Sequence, residues 1–228
     1  MQAPILSVII PTYNEAATLP VLLSRVLAVP MVQEALVVDD GSTDRTGDYL
    51  KSLNDSRISV IRHDFNRGKG TAIRAALPHV RGQYVIIQDA DLEYDPEDYR
   101  AMLDAVRESE GVVYGSRNLA GPIRMSYYRY WLGGVVLSWV ANWLYGLRIT
   151  DEATGYKLFR TSLLRDLNLQ CTGFEFCPEV TAKLGRRGIH VKEVPITYVP
   201  RSFAQGKKIR IKDGLSAIWT LVRYRFTS

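Results

Sequence analysis

Histidine and cysteine are scarce in these 228 residues, at three and two copies. Cys171 and Cys177 stand six apart, which fits neither a redox CxxC pair nor a zinc knuckle, and two cysteines build no disulfide framework. Reduced thiols in a cytoplasmic protein are therefore expected. None of His63, His79 and His190 falls in a motif. The N-terminal MQAPILSVIIPTYNE has no basic leader and runs straight into an apolar segment, so no signal peptide is expected. The longest uncharged run, residues 130–147, is broken by Gly133, Gly134, Ser138, Asn142 and Gly146. It falls short of the roughly 20 strongly apolar residues of a spanning helix, so a full span is not favoured. Neither charge sign dominates: 29 basic and 24 acidic residues leave +5. That balance favours anionic partners without choosing among phosphates, anionic lipids and nucleic acid. Nucleic acid fits least, because the basic residues cluster in the tail, apart from any RNA or DNA motif.

What is present alternates in a regular way. Strands are expected at Leu6–Ile10, Ala35–Val38, Ile58–Ile61, Tyr84–Ile87 and Val112–Tyr114. Helices are expected between them, at Ala16–Ala28, Thr43–Leu53, Gly70–Leu77 and Pro96–Val106, the last capped by Asp95. Such βα units with continuous apolar strands predict a mostly parallel sheet with helices on both faces. After residue 120 the pattern changes. Residues 127–147 read as an aromatic helix with Trp131, Val135, Trp139 and Trp143 on one face. Strands at Leu158–Arg160 and Val191–Val194 flank a helix at Glu179–Leu184. The tail ends as an amphipathic helix on which Leu215, Ile218, Trp219, Val222 and Phe226 share a face.

In such sheets ligands bind beyond the carboxyl ends of the strands, and five polar motifs lie at expected strand ends. QDADLEYDP sets Asp89, Asp91 and Glu93 at alternate positions after the strand Tyr84–Ile87. Alternate residues of an extended chain point the same way, roughly 6–7 Å apart. Two carboxylates at that distance repel by about 2.5 kcal/mol at an effective dielectric near 20. A divalent cation with oxygen ligands, Mg²⁺ or Mn²⁺, relieves this; a solvated acidic turn in which Asp95 caps the next helix is the other reading. PTYNE at 11–15 lacks the G-x-G-x-x-G of dinucleotide enzymes and also suits a helix start capped by Asn14. VVDDGSTDRT at 37–46 offers Asp40 as an acceptor for a base or ribose, or as part of an ordinary acidic turn. NRGKGTA at 66–72 places Lys69 between glycines at a helix start, without P-loop spacing. YGSRN at 114–118 places Arg117 past the fifth strand, as a phosphate fork or a surface ion pair.

In this order VIIPTYNE, VVDDGSTD, NRGKGTAI, QDADLEYDP and YGSR resemble the family 2 glycosyltransferases of the GT-A fold, and more narrowly the polyprenyl-phosphate (dolichyl-phosphate) sugar synthases. DEATGYKLF, GFEFCPE and RSFAQGKKI extend the resemblance over about residues 5–213. It implies a catalytic domain at 1–213, including an aromatic interface helix at 125–147, followed by an amphipathic helix at 214–228. Pro11, Tyr13, Glu15, Val38 and Asp40 would hold the nucleoside of a sugar-nucleotide donor. Asp89, Asp91 and Glu93 would bind Mg²⁺ or Mn²⁺, with Ala90 against the nucleotide. Arg117 and Arg129 would grip the acceptor phosphate, and Arg201 with Lys208 would close over the donor.

The implied activity moves a hexose from GDP-mannose or UDP-glucose to polyprenyl phosphate at the cytoplasmic membrane face. An acceptor monophosphate is already anionic at neutral pH, so no strong base is required. One departure bears on the donor: many dolichyl-phosphate mannose enzymes read D-A-D-L-Q where this chain has Glu93. Many relatives continue into transmembrane helices, whereas this sequence stops at Ser228, so peripheral membrane contact would fall to the aromatic helix and basic tail, with core packing or a dimer contact the equal alternative for the aromatic helix. A homo-oligomer or a separate membrane-anchoring subunit is the further partner expectation. A sister transferase with a hydroxyl acceptor is the alternative; it would need a carboxylate base.

Overall fold

A computed structural model describes residues 6–121, 128–201 and 211–227, excluding the side chains at 128–130 and 211. The elements are β1 Leu6–Thr12, α1 Leu19–Ala28, β2 Val32–Asp39, α2 Thr46–Ser52, β3 Ile58–Arg62, α3 Lys69–Ala76, β4 Tyr84–Ile87, α4 Tyr99–Arg107 and β5 Val112–Ser116. They continue as α5 Tyr128–Tyr145, β6 Lys157–Arg160, α6 Thr161–Asp166, α7 Phe176–Arg186, β7 Lys192–Pro195 and α8 Ile211–Phe226. The seven strands form one sheet in the order β3-β2-β1-β4-β6-β5-β7. All neighbours are parallel except β6, which runs antiparallel to β4 and β5, with Phe159 opposite Val85 and Leu158 opposite Val113. The expected strand near 158–160 therefore separates β4 from β5.

Strand alternation fills both faces, as the continuous apolar strands predicted. Ile9, Leu36, Val38, Val85 and Ile87 point to the face covered by α3, α5, α7 and α8. Val8, Ile10, Val37, Tyr84 and Ile86 point to the face covered by α1 and α4. Every one of these ten side chains is 5% exposed or less, so hydrophobic burial on two faces fixes the strand register.

Two helices begin later than the sequence suggested, and the site explains why. α1 starts at Leu19 rather than Ala16, and α2 at Thr46 rather than Thr43, because the intervening residues bond across to each other. Asn14, in the left-handed region at φ 55°, donates its N–H to Ser42 Oγ at 2.9 Å and accepts from Thr43 N–H at 2.8 Å. The N–H groups of Glu15 and Ala16 go to Thr46 Oγ1 and Asp44 Oδ2. Asp95 caps the next segment as expected, accepting from Glu97 N–H at 3.1 Å, with a 3-10 turn at Pro96–Asp98 leading into α4.

The tail forms the expected amphipathic helix, and its bulky apolar face points away from the core. Leu215, Trp219 and Phe226 are 64%, 65% and 80% exposed; the residues that α8 buries are Ala217, Thr220, Leu221 and Tyr224. α8 packs against α5 and α7, and Tyr145 Oη donates to Leu221 O at 2.6 Å. On α5, Leu137, Ser138 and Ala141 face inward while Trp139 and Trp143 stack outward with centroids 6.4 Å apart. Both helices thus carry an apolar side away from the core. Among the described residues no helix is long and apolar enough to cross a membrane.

Candidate active site

The chain builds β1, β2 and β3 outward in one direction, then places β4 on the other side of β1. That reversal makes a crevice beyond the carboxyl ends of β1 and β4. PTYNE leaves β1 there and meets the end of β2, with Pro11 opposite Val38 and Thr12 opposite Asp39. QDADLEYDP leaves β4 beside it, anchored by Gln88 N–H on Ile9 O at 2.9 Å. Leu92 turns this segment at φ 60°, a left-handed conformation that costs a non-glycine residue of order 1–3 kcal/mol.

Each aspartate of D-A-D faces a protein cation. Lys69, from the start of α3, forms an ion pair with Asp89. Arg201 donates from Nη2 to Asp91 Oδ2 at 2.9 Å, and its Nη1 lies 3.4 Å from Glu15 Oε2. Burial, joined by the charges of Asp89 and Glu93, pushes the Asp91 carboxyl up to about 7. Glu93 receives Tyr198 Oη–H at 2.6 Å on one oxygen and Arg201 N–H at 2.8 Å on the other, and its carbonyl accepts from Val199 N–H. Its carboxylate therefore fastens the 198–201 segment to the acidic strand end. Gly155 of DEATGYK lies so close that a Cβ there would come within 2.5 Å of Asp89 Oδ2.

Among the described residues no three His, Cys, Asp or Glu side chains converge as a preformed metal cage. The oxygen donors at hand, Asp89, Asp91 and Glu93, are nonetheless those that Mg²⁺ or Mn²⁺ prefers. The two paired cations, Lys69 and Arg201, mark where positive charge is demanded.

The other expected residues fall as follows. Pro11 and Tyr13 are partly exposed at the β1 end, and Glu15 is buried there, accepting from Thr18 Oγ1 at 2.7 Å. Val38 is fully buried against α3 and lies between β1 and β3, opposite Pro11 and Ile61, so the structure places it inside the sheet just before the strand end; Ala90 is 4% exposed. Asp40 accepts from His63 Nδ1 at 2.7 Å, Arg67 N–H at 2.9 Å and Gly68 N–H at 2.7 Å, and so holds the loop that delivers Lys69. Arg117 lies beyond β5, bidentate on Asp151 and 5.1 Å beneath the Tyr198 ring. Arg129 sits on the first turn of α5, but its side chain, like all of Lys208, lies outside the described residues. The next turn is nearby, since Trp131 Nε1 donates to Asn118 Oδ1 at 3.2 Å.

Sequence reasoning passed over His63, Gly155, Tyr198 and Asp151. Gly155 and Asp151 stand within the quoted DEATGYK, so a signal was present; Tyr198 precedes the quoted RSFAQGKKI by three residues and carried none.

Fold and site together describe a GT-A glycosyltransferase, and the chain belongs to the family described as glycosyl transferase family 2, which matches residues 7–168. It is 34% identical over 212 residues to the undecaprenyl-phosphate mannosyltransferase of Micrococcus luteus, covering 87% of this chain and 85% of that one. It is 36% identical over 215 residues to the polyprenol monophosphomannose synthase of Mycolicibacterium smegmatis, covering 88% and 79%. Against the dolichyl-phosphate beta-glucosyltransferase of Saccharomyces cerevisiae the identity is 32% over 223 residues, covering 85% and 66%. The fold matches glucosyl-3-phosphoglycerate synthase from Mycobacterium tuberculosis, solved with Mg²⁺ and UDP, at a TM-score of 0.72 and 19% identity, covering 97% and 79%. The same enzyme with Mn²⁺, UDP and phosphoglyceric acid gives 0.70 at 18% identity, covering 99% and 80%.

Proposed function

We propose that this chain transfers a hexose from a nucleotide sugar, GDP-mannose or UDP-glucose, to the phosphate of a polyprenyl phosphate, with inversion at the anomeric carbon. The observation that carries the reading is the pairing of an acidic strand end with a clamped arginine, Arg117, bridged by Tyr198. The names of the three relatives support the acceptor class.

Asp89, Asp91 and Glu93 would hold Mg²⁺ or Mn²⁺, which when bound supplies positive charge for the departing nucleoside diphosphate. The chain's own residues do the rest. Pro11, Tyr13, Glu15, Val38 and Asp40 gather at the end of the sheet where the nucleoside would bind, with Ala90 beside it. Arg201 exchanges Asp91 for the donor's diphosphate and, with Lys208, closes over it. Arg117 and Arg129 bring the second anion to the first. Its oxygen is already ionised at neutral pH, so positioning and charge management replace base catalysis.

The enzyme works peripherally on the cytoplasmic membrane face. Trp139 and Trp143 on α5 and Leu215, Trp219 and Phe226 on α8 supply an exposed apolar surface for the bilayer interface. Lys207, Arg210 and Lys212 would add about 1 kcal/mol each near anionic headgroups. A panel of radiolabelled nucleotide sugars with a short polyprenyl phosphate tests the function. Lipid-extractable label from one donor, abolished by EDTA, is the expected result; water-soluble product alone, or indifference to metal, contradicts it.

A further inference from the structure

Arg117 does not stand free at the edge of the site. Its Nε and Nη2 donate to Asp151 Oδ2 and Oδ1, both at 2.7 Å, and its backbone N–H adds a third bond to Oδ2 at 3.0 Å. Asp151 is 1% exposed, while the Arg117 side chain keeps 24% of its surface open. Burial pushes the Asp151 carboxyl up, and Arg117 more than offsets this, so the pair stays ionised below the ordinary carboxylate range.

A guanidinium has five N–H donors in a fixed plane. With Nε–H and one Nη2–H fixed on Asp151, the outer edge keeps one N–H from each Nη group, side by side. That is the arrangement for two parallel bonds to a phosphate. The Tyr198 ring, 5.1 Å from Cζ, covers the guanidinium and limits its tilt.

Asp151 is itself held from behind. Glu193 on β7 accepts from Asp151 N–H at 3.0 Å, Thr150 N–H at 2.7 Å and Thr150 Oγ1 at 2.9 Å. Ser116 Oγ and Thr150 Oγ1 bond at 2.7 Å, and Asn118 Nδ2 donates to Thr150 O at 2.6 Å. Segments 116–118 and 150–151 are thus stitched on both sides of the Arg117 pair.

We infer that Asp151, braced by Glu193, is a positioning residue that turns one edge of Arg117 toward the acceptor and thereby selects a phosphate-bearing acceptor. This rests on the proposed acceptor role of Arg117 and adds the residues that make that role possible. The carboxylate touches no substrate. It acts by removing the rotamers in which the arginine would fold onto the acidic strand end, where Asp91 and Glu93 would compete for it. A neutral amide of the same shape cannot accept both guanidinium bonds, so Asp151→Asn frees the fork to rotate.

The test is a double-mutant cycle on the full chain, comparing wild type, Asp151→Asn, Arg117→Ala and the double variant. The readouts are KM for a short polyprenyl phosphate, kcat, and the dissociation constant of the donor's nucleoside diphosphate with Mn²⁺. Asp151→Asn should lower kcat/KM for the acceptor by about 10²-fold, the cost of a misplacement near 1 Å, and leave nucleoside diphosphate affinity within about twofold. In the Arg117→Ala background the same substitution should add less than about twofold, because its effect runs through the arginine. Glu193→Gln should shift acceptor KM in the same direction by a smaller factor. Equal losses from Asp151→Asn in both backgrounds, or a parallel fall in nucleoside diphosphate affinity, would overturn the inference. A wild-type protein that yields no lipid-linked product would overturn the proposed function, and the acceptor role of the clamp with it. An active wild type and an unimpaired Asp151→Asn would overturn the clamp alone.

Discussion

Gly155→Ala isolates the geometry of the acidic strand end from the stability of the fold. Gly155 is not among the residues at positive φ, so alanine brings no backbone strain there. The added methyl meets Asp89 Oδ2 at 2.5 Å and Lys69 Nζ at 3.3 Å. An ordinary carbon–oxygen contact lies nearer 3.4 Å, so the carboxylate must move by about 1 Å and its pairing with Lys69 must loosen. The stability cost is moderate. Lys69 and Asp89 keep only 15% and 22% of their side-chain surface open, so loosening the pair costs about 1–3 kcal/mol, of which the stiffer unfolded chain returns about 0.4–1 kcal/mol. A carboxylate displaced by 1 Å from the position proposed to hold the divalent cation should nevertheless cost about 10²-fold in kcat/KM, near 2.7 kcal/mol of transition-state stabilisation. Thermal unfolding and steady-state transfer on the same preparations separate the two effects. Activity within threefold of wild type would contradict a role for the Asp89 position in transfer, as would a collapse of the fold in step with activity.

Arg201→Ala leaves Asp91, Glu15 and Glu93 without their shared guanidinium; thermal melts in EDTA should fall, and Mn²⁺ should recover more of the loss than it adds to wild type. Asp91 gives stability a definite pH slope in EDTA. Its carboxyl is raised from 3.8 to about 7, so the native state holds a proton that the unfolded chain has released. Stability should therefore decline as pH rises from about 4 to about 7, and urea melts of Asp91→Asn should lack that part of the decline. Glu93→Gln removes one of two acceptor oxygens fastening Tyr198 and Arg201; donor KM should rise several-fold, while an unchanged KM would deny the fastening role. Replacing Trp139, Trp143 and Trp219 together by serine should abolish sedimentation with anionic vesicles and leave the melting temperature within a few degrees.

Much of this was legible in the sequence because burial dictates it. The apolar runs at 6–10, 35–38 and 84–87 could only be strands buried on both faces, and the polar motifs after them could only gather at one edge. The antiparallel β6 left no such mark: four residues of mixed character read alike in either direction, and only their pairing with β4 and β5 decides. The tail was ambiguous for another reason. Its helix is apolar on two sides, and the bulkier side, with Leu215, Trp219 and Phe226, faces outward while Ala217, Leu221 and Tyr224 fit against α5 and α7. Composition marked a face without saying which surface it meets. In the site, the acidic residues were visible as charge repulsion in the sequence, but their partners were not. Lys69 and Asp89 are 20 residues apart, Asp91 and Arg201 are 110, and no local pattern joins them. The same holds for the Asp151 clamp on Arg117, whose two residues stand 34 apart in the chain.

The central claim is that the acceptor oxygen belongs to a phosphate. The most direct measurement compares transfer from one donor to a short polyprenyl phosphate and to the matching polyprenol, with product mass read on the extracted lipid. The expected product is a glycosyl phosphate from the first and none from the second. Comparable rates with the free alcohol would contradict it.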